Sequence, residues 1–175
     1  MTTASEASAA IELPWLADPK FCCFGCSPRN PLGLALTMVR LADGRVASYP
    51  TFSEKYASYP GVVHGGIVTA LVDEVMGDLI ALDHGLLAYL VTLRTRMMLP
   101  LRTEVRYCAA ARITKISNGL LHTEAEVTGP DGEIRVTASA TYQPIRSEQA
   151  ISTMGFSASE LDRNRHYFDH KIGPT

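Results

Sequence analysis

The tripeptide His64-Gly65-Gly66 opens a long apolar run, HGGIVTALVDEVMGDLIAL, residues 64–82. Two glycines let the backbone take unusual φ/ψ and leave its N–H groups unshielded. A helix that starts here presents free donors and partial positive charge. Such a start can hold a developing oxyanion, worth about 3–4 kcal/mol per donor. The competing reading is a tight loop-to-helix turn in which the glycines serve packing alone. Two adjacent acids, Asp73 and Glu74, lie further along the run. A helical rotation of about 100° per residue sends them to different faces. A carboxylate in an apolar wrap is costly unless it is paired or has a task. Asp73 shares its stripe with Thr69 and Gly77, two small residues that leave room for a ligand. Asp73 is therefore a candidate base or nucleophile. Glu74 is expected to reach solvent at the helix edge or to form a salt bridge, and it is kept as a candidate on the substrate side together with Gly66 and Met76. Met76, Met97, Met98 and Leu99 fit either a broad apolar pocket or the core.

The elements around this run follow from its neighbours. The run is apolar on nearly every side, which predicts a buried helix from His64 to about Leu82, ended by Asp83-His84-Gly85. Before it, Leu34 to Arg40 and Arg45 to Phe52 read as strands joined by the turn Ala42-Asp43-Gly44, and Ser53 to Val63 reads as a loop. After it come four strands: Leu87 to Leu99, Glu104 to Ile116, Leu120 to Thr128 and Glu133 to Pro144. The turns Ser117-Asn118-Gly119 and Gly129-Pro130-Asp131-Gly132 make them antiparallel hairpins. No second helix separates these strands, which argues against a doubly wound parallel sheet. The expected class is α+β: a hotdog arrangement, an antiparallel sheet wrapped around one long central helix, over residues 21–145. Residues 1–20 read as a flexible segment. Residues 146–175 read as a polar tail with a short surface helix over Ser157 to His170. A lone sheet with uncovered edges favours pairing with a second copy.

Composition bounds the function. The chain has 175 residues, 46 % hydrophobic and 19 % charged, with a net charge of −2. That suits one globular domain with a tail, and no basic field points to nucleic acid or an anionic membrane. No apolar stretch reaches the roughly 18–20 residues of a spanning helix, and the N-terminus lacks a secretory pattern. Four cysteines, three of them crowded at Cys22, Cys23 and Cys26, do not form a secreted disulfide framework, so a reducing, cytoplasmic compartment is expected. Cys23-Phe24-Gly25-Cys26 has the spacing of half a zinc knuckle. A second Cys pair is missing, Cys108 stands alone, and His166 and His170 lie far off in the tail. Buried small thiols are the expectation, and no metal. The sequence holds no GxSxG elbow and no glycine-rich nucleotide-phosphate loop.

The segment YPGVVHGGIVTALVDE, residues 59–74, strongly resembles the signature of the hotdog-fold acyl-CoA thioesterases, the group that includes the phenylacetate-pathway and 4-hydroxybenzoyl-CoA enzymes. CFGCSPRNPLGL, residues 23–34, resembles a second signature of bacterial members, and VTLRTRMMLP, residues 91–100, is similar to their strand after the helix. The resemblance implies that the Gly65 N–H meets the thioester carbonyl oxygen and that His64 shapes the turn. It implies that Asp73 activates water or attacks the carbonyl, and that Thr92 positions the water. Ser58 falls where some relatives carry an Asn or Gln, a departure from the pattern. The resemblance further implies a homodimer or homotetramer with sites at the subunit interface. The substrate would be an acyl-CoA or an acyl-carrier-protein thioester, with no cofactor beyond the coenzyme A of the substrate. Two other readings stay open: a dehydratase or hydratase acting on a thioester-linked or polyketide-type intermediate, and a non-catalytic acyl-thioester binding protein.

Overall fold

The computed structural model describes residues 9–146, 149–150, 152, 155 and 157–168. In chain order the elements are β1 (Ala9–Ile11), β2 (Met38–Arg40), β3 (Val46–Ser48), β4 (Ala57–Tyr59), β5 (Val62–Val63), α1 (Gly65–His84), β6 (Ala88–Met97), β7 (Cys108–Ser117), β8 (Leu120–Thr128), β9 (Ile134–Pro144) and α2 (Ala158–Phe168). Seven strands form one sheet in the order β1-β2-β3-β7-β8-β9-β6, while β4 and β5 pair separately. Every pairing in the large sheet is antiparallel.

Local chemistry explains the register. Asn118 and Gly119, between β7 and β8, both take positive φ, 53° and 72°. That backbone matches the twist of a two-residue hairpin and aligns Ser117 with Leu120. The helix begins at an N-cap, His64, and ends at Gly85 in the left-handed region, where a Cβ would be strained. It therefore runs two residues past Leu82, through Asp83 and His84. Its buried positions Val68, Leu71, Val72, Val75, Met76, Leu79 and Ile80 face the sheet, with α1 touching β3, β6, β7, β8 and β9. The sheet offers small and branched residues in return: Ala109, Ala111, Ala125, Val127, Val136 and Ala138 are buried. Small residues let helix and sheet approach closely, so the core is one layer of side chains between them.

Two expectations change. The loop over 53–63 holds the short strands β4 and β5. The flexible segment over 1–20 is corrected from residue 9 onward, since β1 pairs with β2 and Leu13 and Trp15 are buried in the core. An apolar pair that removes its surface from water fixes this stretch to the body. Residues 1–8 lie outside the described residues. The tail helix forms as α2; positions 169 and 170, the expected end of that helix, lie outside the described residues too. Leu161 of α2 is buried, and Arg163 Nη2 stands 2.8 Å from Asp18 Oδ2.

Strand β6 ends the sheet and, among the described residues, carries no neighbour on its outer side. Tyr89, Val91 and Met97 on it, and Met98 and Leu99 just after, are exposed. A long, apolar, unpaired edge is a surface that proteins normally cover.

Candidate active site

The start of α1 is held from both sides. Val63 N–H donates to Leu101 O at 2.9 Å and His64 N–H to Tyr56 O at 2.8 Å. The His64 carbonyl accepts from Ile67 and Val68. Its ring Nδ1 accepts the Gly66 N–H at 2.9 Å, as an N-cap side chain does. Gly66 is thus no free donor. The Gly65 N–H has no acceptor among the described residues. The two glycines, indistinguishable by type, are told apart by the histidine ring. His64 acts as the capping residue, with Nδ1 unprotonated to accept that bond. The Met97 sulfur and methyl lie 3.4 Å from where a Cβ on Gly65 would stand, so the turn is overlaid by β6.

Asp73 sits on α1, half-buried. Tyr142 of β9 donates to its Oδ1 at 2.6 Å and approaches its main-chain oxygen at 3.0 Å. Burial raises the Asp73 carboxyl above the usual range, and the Tyr142 bond works against that rise. Burial and the neighbouring Asp73 charge push the Tyr142 phenol up, so it stays a donor. Thr69, one turn before Asp73, donates to the Gly65 carbonyl at 2.9 Å. At Gly77, one turn beyond, an added Cβ would meet nothing within 4 Å. The stripe Thr69–Asp73–Gly77 is therefore open beside the carboxylate.

The other candidates divide. Thr92 is exposed on β6, at the register shift between Leu90 and Thr92. Ser58 is exposed on β4, its hydroxyl 3.5 Å from Val62 O. Met76 is corrected: it is fully buried, with its sulfur accepting from Thr123 at 3.0 Å, so it belongs to the core. Glu74 is corrected as well. It forms no ion pair among the described residues and turns away from Asp73 to the loop before β2, where Cys23 Sγ donates to Oε1 at 3.3 Å. Burial, then the Cys23 charge, pushes its carboxyl up to about 8. Tyr142 is the residue that sequence reading missed, since no motif marks it and 69 residues separate it from Asp73.

Gly65 and Asp73 are eight residues apart on one helix, about 12 Å along its axis. A reacting carbonyl needs its oxygen about 3 Å from the donor and its carbon about 3 Å from the attacking group. One chain's pair is too far apart to act on a single carbonyl.

Fold and site define a hotdog protein with a helix-start donor and a half-buried carboxylate. Residues 60–136, which carry both groups, match the family model described as the thioesterase superfamily. That segment of the chain is similar to the thioesterase superfamily. Among solved structures, a thioesterase superfamily protein aligns with TM-score 0.62 and 25 % identity, over 66 % of this chain and 57 % of its own; this chain thus spans less than two thirds of that relative. A Streptococcus mutans UA159 protein bound to acetyl CoA aligns with TM-score 0.58 and 19 % identity, over 63 % of this chain and 88 % of that one. A phenylacetic acid degradation-related protein from Ralstonia eutropha JMP134 aligns with TM-score 0.56 and 21 % identity, over 64 % and 86 %. The latter two share the fold. A search of curated proteins finds no match.

Proposed function

We propose that the protein hydrolyses an acyl thioester, of coenzyme A or of an acyl-carrier protein, to a free acid and a thiol. The observation that carries this reading is the unclaimed Gly65 N–H at the start of α1. It is a preorganised donor for the charge that develops on a thioester carbonyl oxygen. In this reading Asp73 supplies the second function. As a base it takes a proton from water while the water oxygen bonds to the carbonyl carbon; collapse breaks the C–S bond, and the proton returns to the leaving sulfur. As a nucleophile its carboxylate oxygen bonds to the carbonyl carbon and the C–S bond breaks, the departing thiolate taking a proton from solvent; water then cleaves the acyl-carboxylate anhydride to the free acid and the restored carboxylate. Thr92 is assigned to hold the water and Ser58 to stand at the carbonyl end.

The 12 Å gap supports a site whose two groups come from two copies of the chain. The unpaired apolar edge of β6, next to Met97 and Gly65, supports a homodimer or a larger even assembly. Among the described residues no helix is long and apolar enough to cross a membrane. The reading keeps the protein in a reducing cytoplasmic compartment, in line with its unbridged cysteines.

The test is thiol release from short, long, branched, phenylacetyl and hydroxybenzoyl CoA thioesters by wild type and Asp73→Asn. Turnover that falls by about 10²–10⁴ in the variant supports the reading. Equal activity in both removes Asp73 from the chemistry. No turnover of any thioester, free or carrier-bound, removes the hydrolase reading in favour of binding or non-hydrolytic chemistry.

A further inference from the structure

Cys23, Cys26 and Glu74 bring two sulfurs and a carboxylate oxygen within 4.8 Å of one another. The loop that carries the cysteines is built tightly. Ser27 N–H donates to Cys23 O at 3.3 Å, Leu34 N–H to Phe24 O at 2.7 Å, and Leu36 N–H to Gly25 O at 2.9 Å. Gly25 N–H points at Cys23 Sγ, 3.3 Å away. A backbone N–H aimed at sulfur favours the thiolate, the form that binds metal. A Cβ at Gly25 would overlap the Glu74 carboxyl, which would have to move aside.

A second observation comes from the next turn of α1. Asp78 follows Glu74 by four residues, on the same helix face. It is buried, at 7 % exposure, and its Oδ2 has no hydrogen-bond partner among the described residues. The charges that act on it are those of Glu74 and Cys23, and its own acts on Cys26. No lysine, arginine or histidine pairs with Glu74 or Asp78 among the described residues. Two thiols and the Glu74 carboxyl therefore meet in one place, with the orphaned Asp78 carboxyl one helical turn on and no protein cation beside them among the described residues, an arrangement that costs free energy unless a cation joins it.

We infer that Cys23, Cys26 and Glu74 hold a divalent cation of the zinc class, with the unpartnered Asp78 carboxyl one helical turn on supporting it, tying the loop before β2 to the middle of α1. Thiolates with carboxylates suit a borderline ion such as Zn²⁺, whereas Ca²⁺ and Mg²⁺ take oxygen ligands alone. Binding requires the ligating thiols and carboxyl in their deprotonated forms, and the protons they carry leave to solvent. The three ligands and Asp78 all come from this chain, and Glu74 turns away from the Asp73 stripe, so the role of the site is structural. It sits one residue from Asp73 yet is independent of the proposed hydrolysis.

The test uses the full chain, chelator-treated, reduced and handled without oxygen. Cobalt(II) is titrated in, followed by displacement with zinc. One equivalent per chain is expected, with a sulfur-to-cobalt charge-transfer band and the visible bands of a tetrahedral ion. Cys23→Ser and Cys26→Ser abolish the band, Asp78→Asn weakens zinc binding by more than about tenfold, and Cys22→Ser and Cys108→Ser change neither. Asp78→Asn keeps the side-chain shape, so it serves where a cysteine variant fails to fold. Absence of the band in wild type, its survival in Cys26→Ser, or unchanged zinc affinity in Asp78→Asn overturns the site.

Discussion

Tyr142, on the strand next to the sheet edge, donates its phenol proton to Asp73 Oδ1 across 2.6 Å. The bond fixes the rotamer of the one acid on α1 that faces the open stripe, and it leaves Oδ2 as the oxygen free to act. It also favours the ionised carboxylate against the pull of burial. Tyr142 is thus a positioning residue for Asp73.

Tyr142→Phe removes that bond and keeps the ring in the core. Hydrogen bonds to charged groups contribute about 1.5–3 kcal/mol, so kcat is expected to fall by roughly 10- to 100-fold. KM should stay near the wild-type value, since Tyr142 touches Asp73 and not the acyl group. A rise in KM with kcat unchanged would contradict the role.

His64→Ala removes the ring that caps Gly66. Loss of an N-cap costs about 1 kcal/mol, which urea unfolding will read as a lower midpoint at unchanged slope. His64→Asn is expected to restore most of that loss, because an amide oxygen also accepts at the N-cap position.

Gly25→Ala places a methyl where the Glu74 carboxyl packs. Overpacking of this kind costs about 1–3 kcal/mol. In a Glu74→Ala background the same change should cost clearly less. The double-mutant cycle measures the coupling, and a coupling near zero would mean that loop and helix do not press on each other there.

Asp18 and Arg163 give a pH dependence to the docking of α2. The Lys20 N–H, then Arg163, holds the Asp18 carboxyl below its ordinary value of 3.8. The folded value is the lower one, so the stabilisation is complete above the unfolded value and is lost as pH falls through the folded one. Protease cleavage within α2 should therefore accelerate below pH 3.8. Arg163→Ala should cleave readily at neutral pH and lose most of the acid response.

What the sequence determined by itself is what neighbouring residues decide. Asp43-Gly44 and Asn118-Gly119 dictate hairpins through backbone sterics, and Gly85 stops the helix that His64 starts. The apolar wrap of residues 64–82 marks a buried helix, and from these follow the hotdog arrangement and two candidate groups, Gly65 and Asp73. Tertiary structure decided the pairings that the chain brings from far away. Tyr142 meets Asp73 across 69 residues only because β9 crosses α1 at that register. Cys23 meets Glu74 across 51 residues because the loop before β2 folds over the helix, which turned an acid expected at solvent into a partner for thiols. Met76, equally suited by type to pocket or core, went to the core once the sheet closed over its face. Residue type and spacing constrain the backbone over a few residues; which side chains share a buried place depends on packing of the whole sheet against α1.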